Sequence, residues 1–289
     1  MANKIWVGTT TAGDWSVAGN WSPSGVPASA DNVYLQNSSQ GVTAGFDQAA
    51  IVLASLNIAQ SYTGAFTDYL NIGAALVRIG YNDGPTASLA GSTAIMLDLD
   101  DTVDTTTAVT IENSGQSATV GIPTIRIKEL PDASSTVSVR KGSVGVGFDT
   151  GDITTLGSVN ITSVDNPRAD AKVYIGSGVT LTTLNKQGGD CVLGCAATTV
   201  TNTEGTLKTV GSGAITTMHA DGGNITSNST GTITTLNADG GVTDFLKSSA
   251  ARTVTTINVN GVGQVKLDPN VVTVTNAIAS TDGITIKAA

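Results

Sequence analysis

Few residues of this chain carry side chains that could do chemistry, and their spacing does not match that of catalytic sites. The single histidine, His219, has no partners arranged as in a Ser/His/Asp or Cys/His site. It follows an apolar-Thr-Thr-Met unit, and the next copy of that unit carries Asn237 at the same place. We therefore expect His219 to be a turn residue at a corner of the fold.

The two cysteines, Cys191 and Cys195, are predicted to be small buried residues. In an extended strand they would point to one face about 13 Å apart, too far for a disulfide unless Gly194 turns the chain. A zinc site would need more ligands than these two thiols and His219 provide.

Asp98, Asp100, Asp101 and Asp104 form a close group of carboxylates. Such a group could hold a cation or supply the carboxylates of a glycosidase. Its spacing differs from that of a calcium loop, so we expect a solvated strand end. The sequence predicts no catalytic residue, no cofactor, no cofactor-binding residue and no metal ligand, and we expect that the protein is not an enzyme.

The composition favours strands. Charged residues make up 13% of the 289 residues and hydrophobic residues 40%, so disorder caused by excess charge is not expected. The chain has 44 Thr and 34 Gly, residue types that disfavour helix interiors and suit strands separated by turns. A helical or Rossmann-type protein is thereby nearly excluded.

Charge excludes two classes of partner. The net charge is −9, and the only basic cluster is the pair Arg140-Lys141, so we expect no nucleic acid and no anionic membrane as a partner. No apolar run approaches the roughly 20 residues that span a bilayer. The N-terminus has no basic segment followed by a long apolar one, and we expect synthesis in a cytoplasm.

A short apolar-Thr-Thr-apolar unit recurs in the second half of the chain. Its copies begin at Leu181, Ala197, Ile215, Ile233 and Val254, with a variant at Val271, at intervals of 16 to 21 residues. Two consecutive copies share the turn that follows, at 219–223 and 237–241. Each copy is followed by a second short strand and a polar turn.

A repeat of this length cannot enclose a core by itself, so its apolar side chains must be covered by the repeats above and below. A parallel β-helix does this, and its coils advance by the strand spacing of about 4.8 Å. An antiparallel meander is the competing interpretation, because hairpins also give short strands with Gly-rich turns. We predict an all-β fold with a parallel β-helix in the C-terminal half.

The N-terminal half is also rich in strands, but its repeat is less regular. It is either the base of the same solenoid or a small sandwich packed against it. We predict three segments: a Trp-rich cap or attachment segment at 1–36, a β-rich base at 37–130, and β-helix coils at 131–289.

All three tryptophans, Trp6, Trp15 and Trp21, lie near the N-terminus. One interpretation is that they cap the open end of the solenoid, which would otherwise expose strand edges and core. The other is that they anchor the protein to a capsid or to sister subunits, since buried aromatics dominate many interfaces.

The Trp/Gly/Asn/Asp segment that runs from Trp6 to Leu35 resembles a module of bacterial surface β-helix proteins and phage virion proteins. The run 122–127, the Gly-rich run 142–146 and the Thr-Thr coils are similar to capsid decoration, or cement, proteins of tailed bacteriophages. The resemblance implies a location on the outer surface of a capsid, the major capsid protein as partner, and a homotrimer.

Two functions from different classes follow. The first is a structural virion protein that binds the outside of a phage capsid and stabilises or decorates the shell. The second is a tailspike-like protein that binds carbohydrate or degrades polysaccharide. Aromatic residues are only 4% and concentrate at one end, so the coils offer few platforms for sugar rings, which favours the first.

Overall fold

The structure is a computed structural model that describes residues 1–9, 13–81, 94–99, 108–111, 123–130, 132–162, 171–276, 278–280 and 285–286. The chain divides into two units, Met1–Gly157 and Ser158–Ala289.

The described elements of the first unit are short strands and the 3-10 helix Ala18–Asn20. Its strands are β1 (Asn3–Trp6), β2 (Trp21–Ser22), β3 (Asn32–Leu35), β4 (Asp47–Leu53), β5 (Ser55–Ala59), β6 (Leu70–Ala74), β7 (Leu76–Tyr81), β8 (Ile95–Asp98), β9 (Ala108–Ile111), β10 (Ile125–Ile127), β11 (Thr136–Val139) and β12 (Gly142–Val146). Strand β13 (Thr154–Ile161) begins in this unit and ends in the second.

The described elements of the second unit are all strands. They are β14 (Ala171–Ile175), β15 (Val179–Lys186), β16 (Asp190–Leu193), β17 (Ala196–Asn202), β18 (Thr206–Thr209), β19 (Ile215–Ala220), β20 (Asn224–Ser227), β21 (Ile233–Ala238), β22 (Val242–Asp244), β23 (Arg252–Val259), β24 (Gln264–Leu267), β25 (Val272–Val274), β26 (Ala279–Ser280) and β27 (Thr285–Ile286).

Each coil of the second unit contributes one strand to each of two sheets. Strands β15, β17, β19, β21, β23 and β25 pair in that order in one sheet, and β14, β16, β18, β20, β22 and β24 pair in the other. These pairs are all parallel. The predicted parallel β-helix is confirmed, and the antiparallel meander is wrong.

The Thr-Thr units are aligned in register along the first of these sheets. One inward row is fully buried and consists of Leu184, Val200, Met218, Leu236 and Ile257. The residue before each of these is a half-exposed threonine, and the threonine before that also lies on the outside. Two adjacent outward threonines therefore interrupt strict alternation in every one of these coils.

Glycine is required at the shared turn. Gly223 and Gly241 have φ values of 64° and 67°, which side chains rarely adopt. A Cβ atom on Gly241 would lie 2.2 Å from the carbonyl oxygen of Gly223 in the preceding coil. The corners of consecutive coils are thus stacked backbone against backbone.

Parallel coils are also present in the first unit. An inward row runs through Val33, Leu56, Val77, Val109 and Val137, each at most 1% exposed, on strands β3, β5, β7, β9 and β11. Strands β4, β6, β8, β10 and β12 form the second sheet, again in parallel. Regular stacking thus begins before residue 130, and the predicted boundaries at residues 36 and 130 stay a prediction.

Replacing an inward side chain should cost far more than replacing its outward neighbour. We expect Leu236→Ala on β21 to lower the free energy of unfolding by about 2–5 kcal/mol, because it leaves a cavity between three coils. The matched substitution Thr235→Ala should change it by less than about 1 kcal/mol. Urea denaturation of both variants measures this, and equal losses would contradict the assigned register.

Candidate functional sites

The three predicted interface residues form one aromatic cluster in the first unit. Trp6, Trp15 and Trp21 are 1%, 0% and 2% exposed. The ring centroids of Trp15 and Trp21 lie 4.6 Å apart and those of Trp6 and Trp21 lie 5.0 Å apart, both edge to face. Trp6 and Trp15 are stacked with centroids 6.1 Å apart. These are favourable aromatic geometries.

Hydrogen bonds fix the cluster at the start of the coils. The Trp6 indole N–H donates to the carbonyl of Gln40 (3.0 Å), and the Trp21 indole N–H donates to the carbonyl of Trp15 (2.8 Å). Strand β2, which begins at Trp21, pairs with β1 in antiparallel fashion and ends the sheet order. This arrangement closes the first edge of a parallel stack, as an end cap requires.

The burial of the rings bears on the two interpretations of the tryptophans. The cap explains why all three rings are inside, and a direct contact with a partner would require them to be uncovered. The interface role of Trp6, Trp15 and Trp21 stays a prediction.

A second cluster is charged, and it was missed by the sequence analysis. The three ion pairs among the described residues all fall in it. It lies beside β6, β8, β10 and β12 of the first unit, and we call it the charged cluster: Tyr69, Asp98, Arg126, Lys128, Glu129, Asp149 and Asp152.

Asp98 was expected at a solvated strand end, and that prediction is wrong. Asp98 ends β8, is only 6% exposed, and its Oδ2 atom lies 2.8 Å from Nζ of Lys128. This hydrogen bond raises the pKa of Lys128, and Glu129 adds a second, longer contact of 3.5 Å. The other members of the predicted acidic group, Asp100, Asp101 and Asp104, lie outside the described residues.

Asp149 connects residues that are far apart in the sequence. Its carboxylate accepts a hydrogen bond from the Tyr69 hydroxyl and lies 3.5 Å from Nη1 of Arg126. The Arg126 guanidinium also lies 5.6 Å from the centroid of the Phe148 ring. The segment after β12 lies close to its own strand, because a Cβ atom on Gly145 would be 2.8 Å from Cβ of Phe148.

Asp152 has a different proton affinity from an ordinary carboxyl. Burial raises its pKa, an effect partly offset by a hydrogen bond of 3.1 Å from the Asp149 backbone N–H. The charge of Asp149 also raises it. A buried carboxyl of raised pKa beside a second carboxyl group can act as a general acid, as in glycosidases.

In the second unit, the outer face of the sheet that carries the Thr-Thr units is lined mainly by short polar side chains. One outward row is Asn185, Thr201, His219, Asn237 and Asn258. Its amides bond from coil to coil: Asn258 Nδ2 donates to Asn237 Oδ1 (2.8 Å), and Asn185 Nδ2 donates to Asn160 Oδ1 (2.9 Å).

A cavity of about 210 Å³ opens beside this row. It is lined by Asn160, Thr162, Asn185, Lys186, Gln187, Thr201 and Thr203. The lining offers carboxamide and hydroxyl groups for hydrogen bonding, and its volume is below the 300–1,000 Å³ of typical ligand sites.

Lys186 is an unusual residue in the interior of the second unit. It is 0% exposed, and its Nζ atom donates a hydrogen bond to the carbonyl of Glu204. Burial lowers its pKa to about 8. Asn202, at the paired position of the next strand, is also fully buried. The sequence held a signal for this burial: inward and outward side chains alternate along a strand, so Lys186, two residues after the inward Leu184, is expected inside.

The two cysteines and His219 are the remaining residues that the sequence singled out. Both cysteines are buried and free, as predicted, and burial raises the pKa of each thiol to about 12. His219 was predicted to be a turn residue, which is wrong: it lies within β19, on the outer row. The turn begins two residues later, at Asp221. Within the described ranges, no group of three or more His, Cys, Asp or Glu side chains is arranged to hold a metal.

Comparison with protein-family models, with curated proteins and with solved structures gave no match. Among the residues that the structure describes, no helix is long and apolar enough to cross a membrane.

Removal of one indole should test the cap. We expect Trp15→Ala to lower the free energy of unfolding by about 3–5 kcal/mol, since the ring is fully buried and packs against Trp6 and Trp21. Thermal unfolding followed by tryptophan fluorescence and circular dichroism measures the loss. An unchanged midpoint would contradict the cap role.

Lys186 should reduce stability at neutral pH. Its amine has a pKa of about 8 in the folded chain and 10.5 as a reference, so the unfolded state binds the proton more tightly. The free energy of unfolding should therefore rise as the pH increases from about 8 to 10.5. Below pH 8, the buried charge of Lys186 lowers the free energy of unfolding by about 3 kcal/mol.

Lys186→Met should raise the free energy of unfolding at pH 7 by roughly 1–3 kcal/mol, with a gain that shrinks at alkaline pH. Lys208→Met, at an exposed position of β18, is the matched control and should give a change near zero. Urea denaturation across pH measures both, and a constant difference across pH would contradict the buried charge.

Proposed function

We propose that this chain is a structural virion protein that binds the outside of a phage capsid and stabilises or decorates the shell as a homotrimer. The major capsid protein is its proposed partner, and its proposed role is non-enzymatic. The proposal combines the resemblance of the Trp-rich segment and the Thr-Thr coils to decoration proteins with the geometry of the second unit.

The observation that carries the proposal is the in-register repetition of outward Thr and Asn side chains over five consecutive coils. Each coil is bonded to the next along both sheets, so the outward rows are held in fixed positions. A surface of short, neutral, fixed side chains loses little conformational entropy when another surface packs on it. That property suits permanent attachment.

The aromatic cluster adds support. Strand β2, which begins at Trp21, covers the β1 edge of one sheet of the first unit, and a covered edge does not pair with strands of other chains. A protein displayed in many copies on one shell needs this protection against uncontrolled association. Attachment would then use lateral surfaces, and a stable interface would bury more than about 1,000 Å².

Electron cryomicroscopy of purified particles of the virus that carries this chain tests the proposal. We expect density for stacked two-sheet coils on the outer surface of the shell, in groups of three. Particles assembled without the chain should lose their genome at a lower temperature. Absence of the chain from purified particles, or density confined to the tail, would contradict the proposal.

The charged cluster favours a second candidate, a polysaccharide-degrading activity. Asp149 and Asp152 differ in environment as an acid and a base do, and Tyr69 and Phe148 lie beside them. This candidate ranks second because Asp149 is engaged by Tyr69 and Arg126, and Asp152 is only 7% exposed.

The two candidate functions are distinguished by incubating the protein with host surface polysaccharide and measuring the length of the polysaccharide afterwards. Polysaccharide that is shortened by the natural protein and left intact by the Asp152→Asn variant would establish the second candidate. Polysaccharide left intact by both the natural protein and the variant would favour the structural role.

A further inference from the structure

Three corners of the second unit occupy equivalent places, each directly after a strand of the same sheet. They follow β19, β21 and β23 and span 221–223, 239–241 and 260–263. The first two begin Asp-Gly, and the third begins Asn260-Gly261, the one Asn-Gly pair in the sequence. The third corner has one residue more than the others.

Backbone hydrogen bonds hold the glycine of the first two corners. The Gly222 N–H donates to the Asn202 carbonyl (3.1 Å), and the Gly240 N–H donates to the Ala220 carbonyl (2.9 Å). In the third corner the Asn260 N–H still donates to the Ala238 carbonyl (2.9 Å), but within the described chain the Gly261 N–H makes no hydrogen bond. The additional residue accounts for this difference, because the longer corner leaves the register of the coil below.

The third corner is also the most open to water. Asn260 and Gly261 are exposed, and Val262 is 81% exposed. The Asn260 carboxamide reaches back to the preceding coil, where Nδ2 donates to Oδ1 of Asp239 (2.9 Å). An exposed carboxamide thus precedes a glycine whose backbone nitrogen is not held by the fold.

We infer that Asn260 is a site of spontaneous deamidation. The Gly261 nitrogen loses its proton and attacks Cγ of Asn260, a C–N bond forms, and Nδ2 leaves as ammonia. Water then opens the five-membered imide at either carbonyl and gives aspartate or isoaspartate. Glycine favours the attack because it has no Cβ to block the approach, and asparagine is a known thermolabile residue.

The product changes the outer surface of two coils. The new carboxylate cannot donate to Asp239, so the hydrogen bond of 2.9 Å is lost and two negative charges face each other. The isoaspartate product also places an additional methylene in the backbone of the corner. We expect both changes to loosen the contact between the coils that contain β21 and β23.

Peptide mass spectrometry of the full chain, after incubation in mildly alkaline buffer at body temperature, tests the inference. We expect a gain of one dalton at Asn260 at least about tenfold faster than at Asn237 and Asn258, outward carboxamides within strands that precede Ala238 and Val259. Asn260→Gln should remove the fast gain and leave only the slow gain of the other carboxamides. A rate at Asn260 no higher than at Asn258 would overturn the inference.

The proposed loosening between the coils can be measured directly with two variants, without incubation. Asn260→Asp should unfold at a lower temperature than Asn260→Gln, which keeps a carboxamide donor. Incubation of the natural chain should move its midpoint toward that of Asn260→Asp. Equal midpoints of the two variants would overturn the proposed loosening, and neither result depends on whether the protein binds a capsid.

Discussion

The whole structure depends on one constraint: a coil this short has no interior of its own. An inward side chain such as Leu236 is covered only because Met218 and Ile257 lie above and below it in register. Stability is therefore shared between neighbours along the stack, in the manner of other repeat proteins. Two inward-facing cationic residues bond to a neighbouring coil: Lys186 donates to the Glu204 carbonyl and Arg252 donates to the Ser227 carbonyl.

The same constraint separates the inside of the coils from the outside. Inward positions are fixed by packing, whereas outward positions are free to vary as long as the backbone ladder persists. In the second unit, the sheet of Thr-Thr strands carries outward threonines and asparagines, and the other sheet also carries charged residues such as Lys172 and Lys208. In the first unit, Arg126 and Lys128 form ion pairs.

Sequence reasoning succeeded where the repeat was regular. Intervals of 16 to 21 residues between Thr-Thr units were enough to predict parallel stacking and its register. In the first unit the inward residues Val33, Leu56, Val77, Val109 and Val137 are 23, 21, 32 and 28 residues apart, and this irregularity hid the coils.

The charged cluster could not be predicted, because Tyr69 and Asp149 meet only after the coils between them have stacked. The position of His219 was equally hidden, because the sequence does not show that the strand continues beyond Met218 to Ala220.

The aromatic cluster at the N-terminus has a consequence for how the chain acquires its fold. The N-terminal part of a chain emerges first from the ribosome, so strands β1 and β2 are available before the coils that follow. Strand β3 pairs with β1, and β5 pairs with β3, so each new strand can pair with a strand that has already formed. Folding can then proceed vectorially during translation, one turn of the solenoid at a time, without waiting for the C-terminus.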